Sequence, residues 1–154
     1  MGGTLKEYAP EQLAAQPVGA WAGRAARLMV GALREQLAVE DLTQPHWWTL
    51  NHVAAKPGAW SRAALVERLV PWDDRGTDFE AVFDELIARG WMAEDAGRMT
   101  LTEEGQAGAV RARERNARVR ERAHQGVADA DFAITIDVLR RMVANLGGEG
   151  DLPG

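Results

Sequence analysis

The sequence predicts a mostly α-helical chain interrupted once by a small β-hairpin, and three observations carry that prediction. Apolar residues recur at intervals of three and four along most of the 154 residues, the period of one buried helical stripe. That period gives way between Trp91 and Thr102, where two short runs flank Asp95-Ala96-Gly97 as strands flank a tight turn. Breaks of the expected chemistry separate the helical segments, among them Lys56-Pro57-Gly58, Gly90 and Gly126. With 46% hydrophobic and 27% charged residues the balance is that of a folded domain, and the length suits one domain or one subunit of a small oligomer.

The first helix is expected from about Pro17 to Glu40, on Val18, Trp21, Ala25, Leu28, Met29, Ala32, Leu33 and Leu37, with Pro17 in its first turn. Roughly 24 residues at 1.5 Å each make about 36 Å, too long for a small core to cover. After Asp41-Leu42 a second helix starts, with Thr43 as N-cap and Pro45 in the first turn, and Trp47, Leu50 and Ala54 on one face. Ser61 caps a third, with Ala64, Leu65 and Leu69 inward and Arg62 and Arg68 outward. The turn Pro71–Gly76 leads to Thr77, which is expected to cap a fourth helix built on Phe79, Val82, Phe83, Leu86 and Ile87 and stopped by Gly90. After the hairpin, Thr102 begins an Ala- and Arg-rich helix with Glu103 and Glu104 in its first turn, running to about Gln125. Asp129 and Asp131 start the last helix, whose Phe132, Ile136, Leu139, Val143 and Leu146 repeat at fours and threes, a stripe that packs against other helices. The end from Gly147 is expected to fray.

Several function classes fall away. Without cysteine there are no disulfides, thiolate metal sites or thiol nucleophiles. Ser61 is the only serine, which leaves little from which to assemble a nucleophile–base pair, so neither an enzyme nor a cofactor is expected and no catalytic residue is assigned. His46 and His52 lie six apart, off one helical face, so no metal site is expected. The N-terminus does not read as a signal peptide and no apolar run approaches the ~18 residues of a membrane span, so a cytoplasmic protein without membrane contact is expected.

Three short helices followed by a hairpin are the parts of a winged helix-turn-helix, and here the sequence resembles the MarR (multiple antibiotic resistance regulator) family of transcription factors. The resemblance runs from Pro17 to Leu146. Leu42-Thr43 with Trp47 and Leu50 is similar to the start of the family's second helix, and Ser61, Leu65 and Leu69 to its third. Leu86 and Gly90, with Arg89 before the glycine, are similar to the close of the recognition helix. Leu101-Thr102-Glu103-Glu104-Gly105 is the most specific piece, similar to the Leu-Thr-x-x-Gly after the wing. Asp131, Leu139 and Asn145-Leu146 fit the last helix. The resemblance implies a single unit over 1–154, with a winged helix-turn-helix module at 43–105 and dimerisation helices at 17–40 and 106–147. It also implies a homodimer, a recognition helix in the major groove of double-stranded DNA, a wing at the minor groove, and often a small-molecule pocket between the two parts. Independently, the long first helix and the striped last one call for more partner surface than this chain provides.

On that reading the DNA-binding residues are Ser61, Arg62, Arg75, Thr77, Arg89 and Arg98, with Ser61 and Thr77 at helix N-termini that favour phosphate. The local charge runs the other way. The chain has 18 bases, 23 acids and a net charge of −5, and the window from Lys56 to Glu104 alone holds 6 bases and 11 acids. Asp78, Glu80 and Glu85 stand on the expected recognition helix, where Glu85 can pair with Arg89 one turn on. The wing is short, with Arg98 three residues before Leu101. A second reading follows: a dimer of the same fold with weakened or lost DNA binding, serving as a ligand- or protein-binding module.

Six tryptophans suggest an aromatic-lined pocket for a small aromatic effector, drawn from Trp21, Trp47 and Trp48 with His52 as polar anchor; core and interface packing explains them somewhat better. Arg111, Arg115, Arg118 and Arg122 can form one positive stripe, set against solvent, an anion or a partner subunit's acids.

Overall fold

Signals at the helix ends account for most of the element boundaries in the computed structural model, which describes residues 4–152. A short helix α1 (Pro10–Ala14) opens on a proline and buries no residue, so no apolar stripe announced it. Helix α2 (Val18–Ala38) has Pro17 just outside it, as the N-cap rather than in the first turn. It ends where Asp41 turns left-handed (φ 54°) and the Leu42 N–H returns to the Leu37 carbonyl at 3.0 Å. In α3 (Gln44–Ala55) a capping box uses His46 where Glu or Gln is usual: the Thr43 N–H donates to His46 Nδ1 at 3.0 Å. Helix α4 (Arg62–Leu69) is capped by Ser61, and a 3₁₀ turn (Val70–Trp72) follows.

Helix α5 (Phe79–Ala88) corrects one expectation. Its cap is Asp78, whose Oδ1 accepts the Ala81 N–H at 3.2 Å. Thr77 is held instead by Asp73, through its N–H at 2.7 Å and its hydroxyl at 2.8 Å. Strands β1 (Met92–Asp95) and β2 (Arg98–Leu101) pair antiparallel, Asp95 opposite Arg98 and Met92 opposite Leu101. The turn is Ala96-Gly97 alone, with φ of 49° and 74°, the two-residue turn whose twist matches a hairpin. Helix α6 (Glu103–His124) is capped by Thr102, and α7 (Asp129–Asn145) follows.

The core lies between α3, α4, α5, the hairpin and the start of α6. Leu50, Val53, Leu65, Leu69, Phe83, Leu86 and Met99 are sealed there, joined by Leu37 from the end of α2 and by Ala109 and Ala112. The hairpin is tied to the α3–α4 loop, since the Met99 N–H donates to Trp60 O at 3.0 Å and the Gly58 N–H to Met99 O at 2.9 Å. The outer helices bury far less. No residue of α7 is buried, and on α2 Trp21 is 53% and Leu28 74% exposed.

Candidate nucleic-acid interface

In a winged helix the first turn of α4, the outer side of α5 and the hairpin form the face toward DNA. The exposed positions of α5 are Glu80, Ala81, Asp84, Glu85 and Ala88, none of which carries a donor side chain. Glu80 and Asp84 lie one turn apart and converge on Arg62, at 2.8 and 2.9 Å, and Glu94 of β1 closes on the same guanidinium at 2.7 Å. Three carboxylates, Glu80 foremost, push the Arg62 guanidinium further above its ordinary range. Arg62 thus pins α4 to α5 and to the wing, and its donors are directed inward along the surface.

The other expected DNA contacts divide in two. Ser61 spends its hydroxyl oxygen on the Ala64 N–H at 3.2 Å and is half-buried at the start of α4. Thr77 belongs to the Asp73 loop; that loop's hydrogen bonds, the Thr77 N–H first, hold the Asp73 carboxyl below the usual carboxylate range. Arg89 reaches back to the Glu40 and Asp41 carbonyls, at 3.0 and 2.8 Å, and lies over the Trp91 ring. It closes the C-terminal end of α2, where a cation offsets the helix dipole. Arg75 is 66% exposed, with one carboxylate oxygen of Asp74 at 4.0 Å. Arg98 is exposed and gives one N–H to the Ala59 carbonyl at 3.0 Å. Glu85 does not pair with Arg89; it takes His46 Nε2 at 2.8 Å. Because His46 Nδ1 accepts the Thr43 N–H, Nε2 carries the proton donated to Glu85.

The four aromatic and polar residues assigned to an effector do not line one cavity within a single chain. Trp48 lines a space of about 250 Å³ with Arg34, Gln44, Asp73 and Arg75. His52 faces a different one, and Trp47 packs against the core. Trp21 lies 13 residues before Arg34 on α2, about 20 Å along the axis, and gives its indole N–H to Gln16. Sequence reasoning missed the carboxylate clamp on Arg62 and the charged rim around Trp48. The Glu80/Asp84 spacing was a visible signal for the first, whereas Glu94 needed the hairpin's placement.

On α6, Arg111 and Arg115 both meet Glu40 of the same chain, at 2.9 and 3.4 Å. The Arg111 hydrogen bond is the main reason the Glu40 carboxyl titrates below its ordinary range. Among the described residues no group of three or more His, Asp or Glu is disposed to hold a metal ion, and no helix is long and apolar enough to cross a membrane.

No sequence-family model matches the chain, and no curated protein matches it in sequence. Solved structures do. The PcaV transcriptional regulator from Streptomyces coelicolor superposes with a TM-score of 0.68 at 25% identity, over 86% of this chain and 98% of that one. A MarR family transcriptional regulator from Silicibacter pomeroyi matches at 0.67 and 20%, over 90% and 99%. The Mycobacterium tuberculosis MarR family protein Rv2887, in a complex with DNA, matches at 0.62 and 22%, over 86% and 99%. With its mostly helical order of elements and one antiparallel hairpin, the chain has the winged-helix fold of the MarR family transcriptional regulators.

Proposed function

We propose that this chain is a MarR-type transcriptional regulator, not an enzyme, that works in the cytoplasm as a homodimer on double-stranded DNA. The observation that carries the reading is an apolar surface without cover on the two outer helices of a winged-helix fold. Phe132, Ile136, Val143 and Leu146 run along one side of α7, and Val18, Trp21, Leu28 and Met29 lie along α2, all exposed. A patch of this kind marks an interface, and a second copy is the occupant the fold favours. The helices at 17–40 and 106–147 then make the dimer and the module at 43–105 meets DNA. Contacts come from Arg75, from Arg98 beside the hairpin turn, and from the start of α4 at Ser61; Arg62, Thr77 and Arg89 support the face from behind. Rv2887 in complex with DNA, at the same fold, supports this reading. A small aromatic effector fits the same picture, since PcaV is known in complex with its natural ligand and Rv2887 with p-aminosalicylic acid. Trp48, between Arg34 and Arg75, is then the aromatic contact, with Trp21 joining from the second copy.

A second reading has its own observation: an α5 whose exposed side chains are acids and alanines. On it the dimer has given up DNA and binds a ligand or protein. Fluorescence anisotropy with the chain's own upstream DNA separates the two. Specific binding whose log K falls with log salt by about 0.9 per phosphate contact supports the regulator. No binding at low salt to any neighbouring fragment removes it. Sedimentation tests the dimer separately, and a folded monomer at micromolar concentration would end that part of the proposal.

A further inference from the structure

We propose that the segment after α7, residues 147–152, is an intramolecular strap that competes with a second copy of the chain for the apolar side of α7. The inference rests on the homodimer reading and adds to it a contact within one chain that limits pairing.

The segment is built to lie where it does. From Gly147 the chain is expected to fray, and instead it doubles back along α7. Gly147 turns left-handed (φ 86°) and gives its N–H to the Ala144 carbonyl at 3.0 Å, while the Gly148 N–H returns to the Val143 carbonyl at 2.9 Å. That pair of bonds ends a helix and reverses the chain. Gly148 then passes so close to Val143 that a Cβ on it would lie 2.7 Å from Val143 Cγ1. A β-branched side chain in a helix holds one rotamer, so Val143 has little freedom to turn away. Arg140 reaches over from α7 and takes the segment at two points. Its Nε donates to the Gly150 carbonyl at 2.8 Å and its Nη2 to Asp151 Oδ1 at 2.6 Å.

What the strap lies on decides its role. Ile136, Leu139, Arg140 and Val143 fall within about 100° of one another around α7. With residues 149–152 they border a space of about 470 Å³. Ile136 and Val143 belong to the same apolar side on which the homodimer reading seats the second copy, so one surface has two claimants. The strap is the weaker of them. It leaves that space unfilled, Leu152 stays exposed, and the ion pair that locks it is open to solvent. When it opens, Arg140 keeps Asp137, 3.6 Å away on the same helix, so no charge is stranded. An exposed ion pair shifts an equilibrium by up to about fivefold. With the strap closed about two times in three, two copies are both bare about one time in nine, and opening it tightens pairing about tenfold. Pairing is thus held back at low concentration and takes over as concentration rises.

Fluorescence-detected sedimentation of the full chain, labelled at its N-terminus, from nanomolar to high micromolar concentration tests this. Gly148→Ala pushes the segment off Val143 without a change of charge, and Asp151→Arg sets two cations face to face. Each should tighten the dimer about tenfold with unchanged circular dichroism. Arg140→Asp/Asp151→Arg, which restores the pair in reverse, should return to within about threefold of the parent. A dimer constant at the parent value in either single variant overturns the strap and leaves the homodimer standing. Weaker pairing in either makes the segment part of the interface and also overturns it. So does a reversed pair that stays as tight as Asp151→Arg alone, because the effect then owes nothing to the lock. A parent still dimeric at nanomolar concentration leaves the strap nothing to limit and overturns it. Parent and variants that all stay monomeric at high micromolar concentration end the homodimer reading and the strap with it.

Discussion

Gly105→Ala should be among the most damaging single-methyl changes in this protein, because the glycine lets α6 rest on the backbone of Trp91. A Cβ built on Gly105 falls on the Trp91 carbonyl oxygen, 2.7 Å from its carbon and 3.0 Å from its Cα. That carbonyl accepts the Thr102 N–H at 3.0 Å, and Thr102 caps α6 through the Gly105 N–H, also at 3.0 Å. Neither side can give: the obstacle is main chain, and moving α6 by half an ångström or more disturbs its own cap. Alanine favours helices over glycine by about 1 kcal/mol, so a stabilising change would be the naive expectation. Overpacking of this kind costs about 3 kcal/mol or more, and the net loss should be about 2 kcal/mol or larger. For a chain this size that lowers Tm by about 4–8 °C. Gly108 gives the contrast, since its Cβ would meet only the outer ring atoms of Trp91, Cζ2 at 2.6 Å. Trp91→Phe removes those atoms, so it should rescue most of Gly108→Ala and none of Gly105→Ala in a double-mutant cycle read by thermal melts. A Gly105→Ala chain that melts within 1 °C of the parent, or a rescue of both glycines alike, would refute the close-approach argument.

Three further outcomes follow from the same structure. Neutralising the clamp with Glu80→Gln/Asp84→Asn/Glu94→Gln should free Arg62, raise DNA affinity and steepen the salt slope by about 1 for one added phosphate contact; an unchanged slope would mean that Arg62 is not the withheld cation. Both polar atoms of the Asn116 side chain are buried without a partner, and the side chain lines an apolar cavity with Met29, Val30, Leu33 and Val119. Asn116→Leu should therefore stabilise by about 1 kcal/mol in urea unfolding, and destabilisation would show that the amide has a partner in solution. Glu40, beside Arg111, and Asp73, in its loop, both titrate below their ordinary values when folded. Their stabilisation is present above the unfolded values of 4.5 and 3.8 and is lost as pH falls through the lower folded ones. Urea midpoints should drop below about pH 4.5, and Glu40→Gln with Asp73→Asn should flatten that drop; a parallel drop in the variant would assign the acid loss to other carboxylates.

The parts of this fold written in short-range chemistry were legible. Apolar spacing located six helices, Thr43 and Ser61 were read as caps and serve as caps, and the single change of period found the hairpin. Errors arose where two local signals compete. Thr77 and Asp78 are both good N-caps, and the choice fell to Asp78 because Asp73, four residues back, already held Thr77. Roles that depend on distant elements were not legible. Arg89 reads as a surface base near the end of a recognition helix until the end of α2 is brought beneath it, nearly fifty residues away in sequence. Glu85 likewise has a good partner one turn along in Arg89, and yet His46, 39 residues earlier, takes it.

The net charge of −5 acquires a structural meaning from these placements. Three acids of the module, Glu80, Asp84 and Glu94, surround one arginine, so locally three negative charges meet one positive. One carboxylate from α5 together with Glu94 from the wing is enough to tie α4 to both, so the three acids leave the clamp with a net negative charge. These acids leave a negative field on the face proposed to meet DNA, beside exposed Arg75 and Arg98 at its edges. On a flat polyanion such a field penalises every sequence alike, so affinity without specific contacts is suppressed first. A regulator built this way would bind only where the edge arginines and the start of α4 all find their phosphates at once. A protein that has left DNA would show the same acids with no such dependence on Arg75 and Arg98. The distinction therefore rests on those two arginines more than on the acids: in the first case Arg75→Ala and Arg98→Ala each abolish a measurable specific affinity, and in the second there is none to abolish.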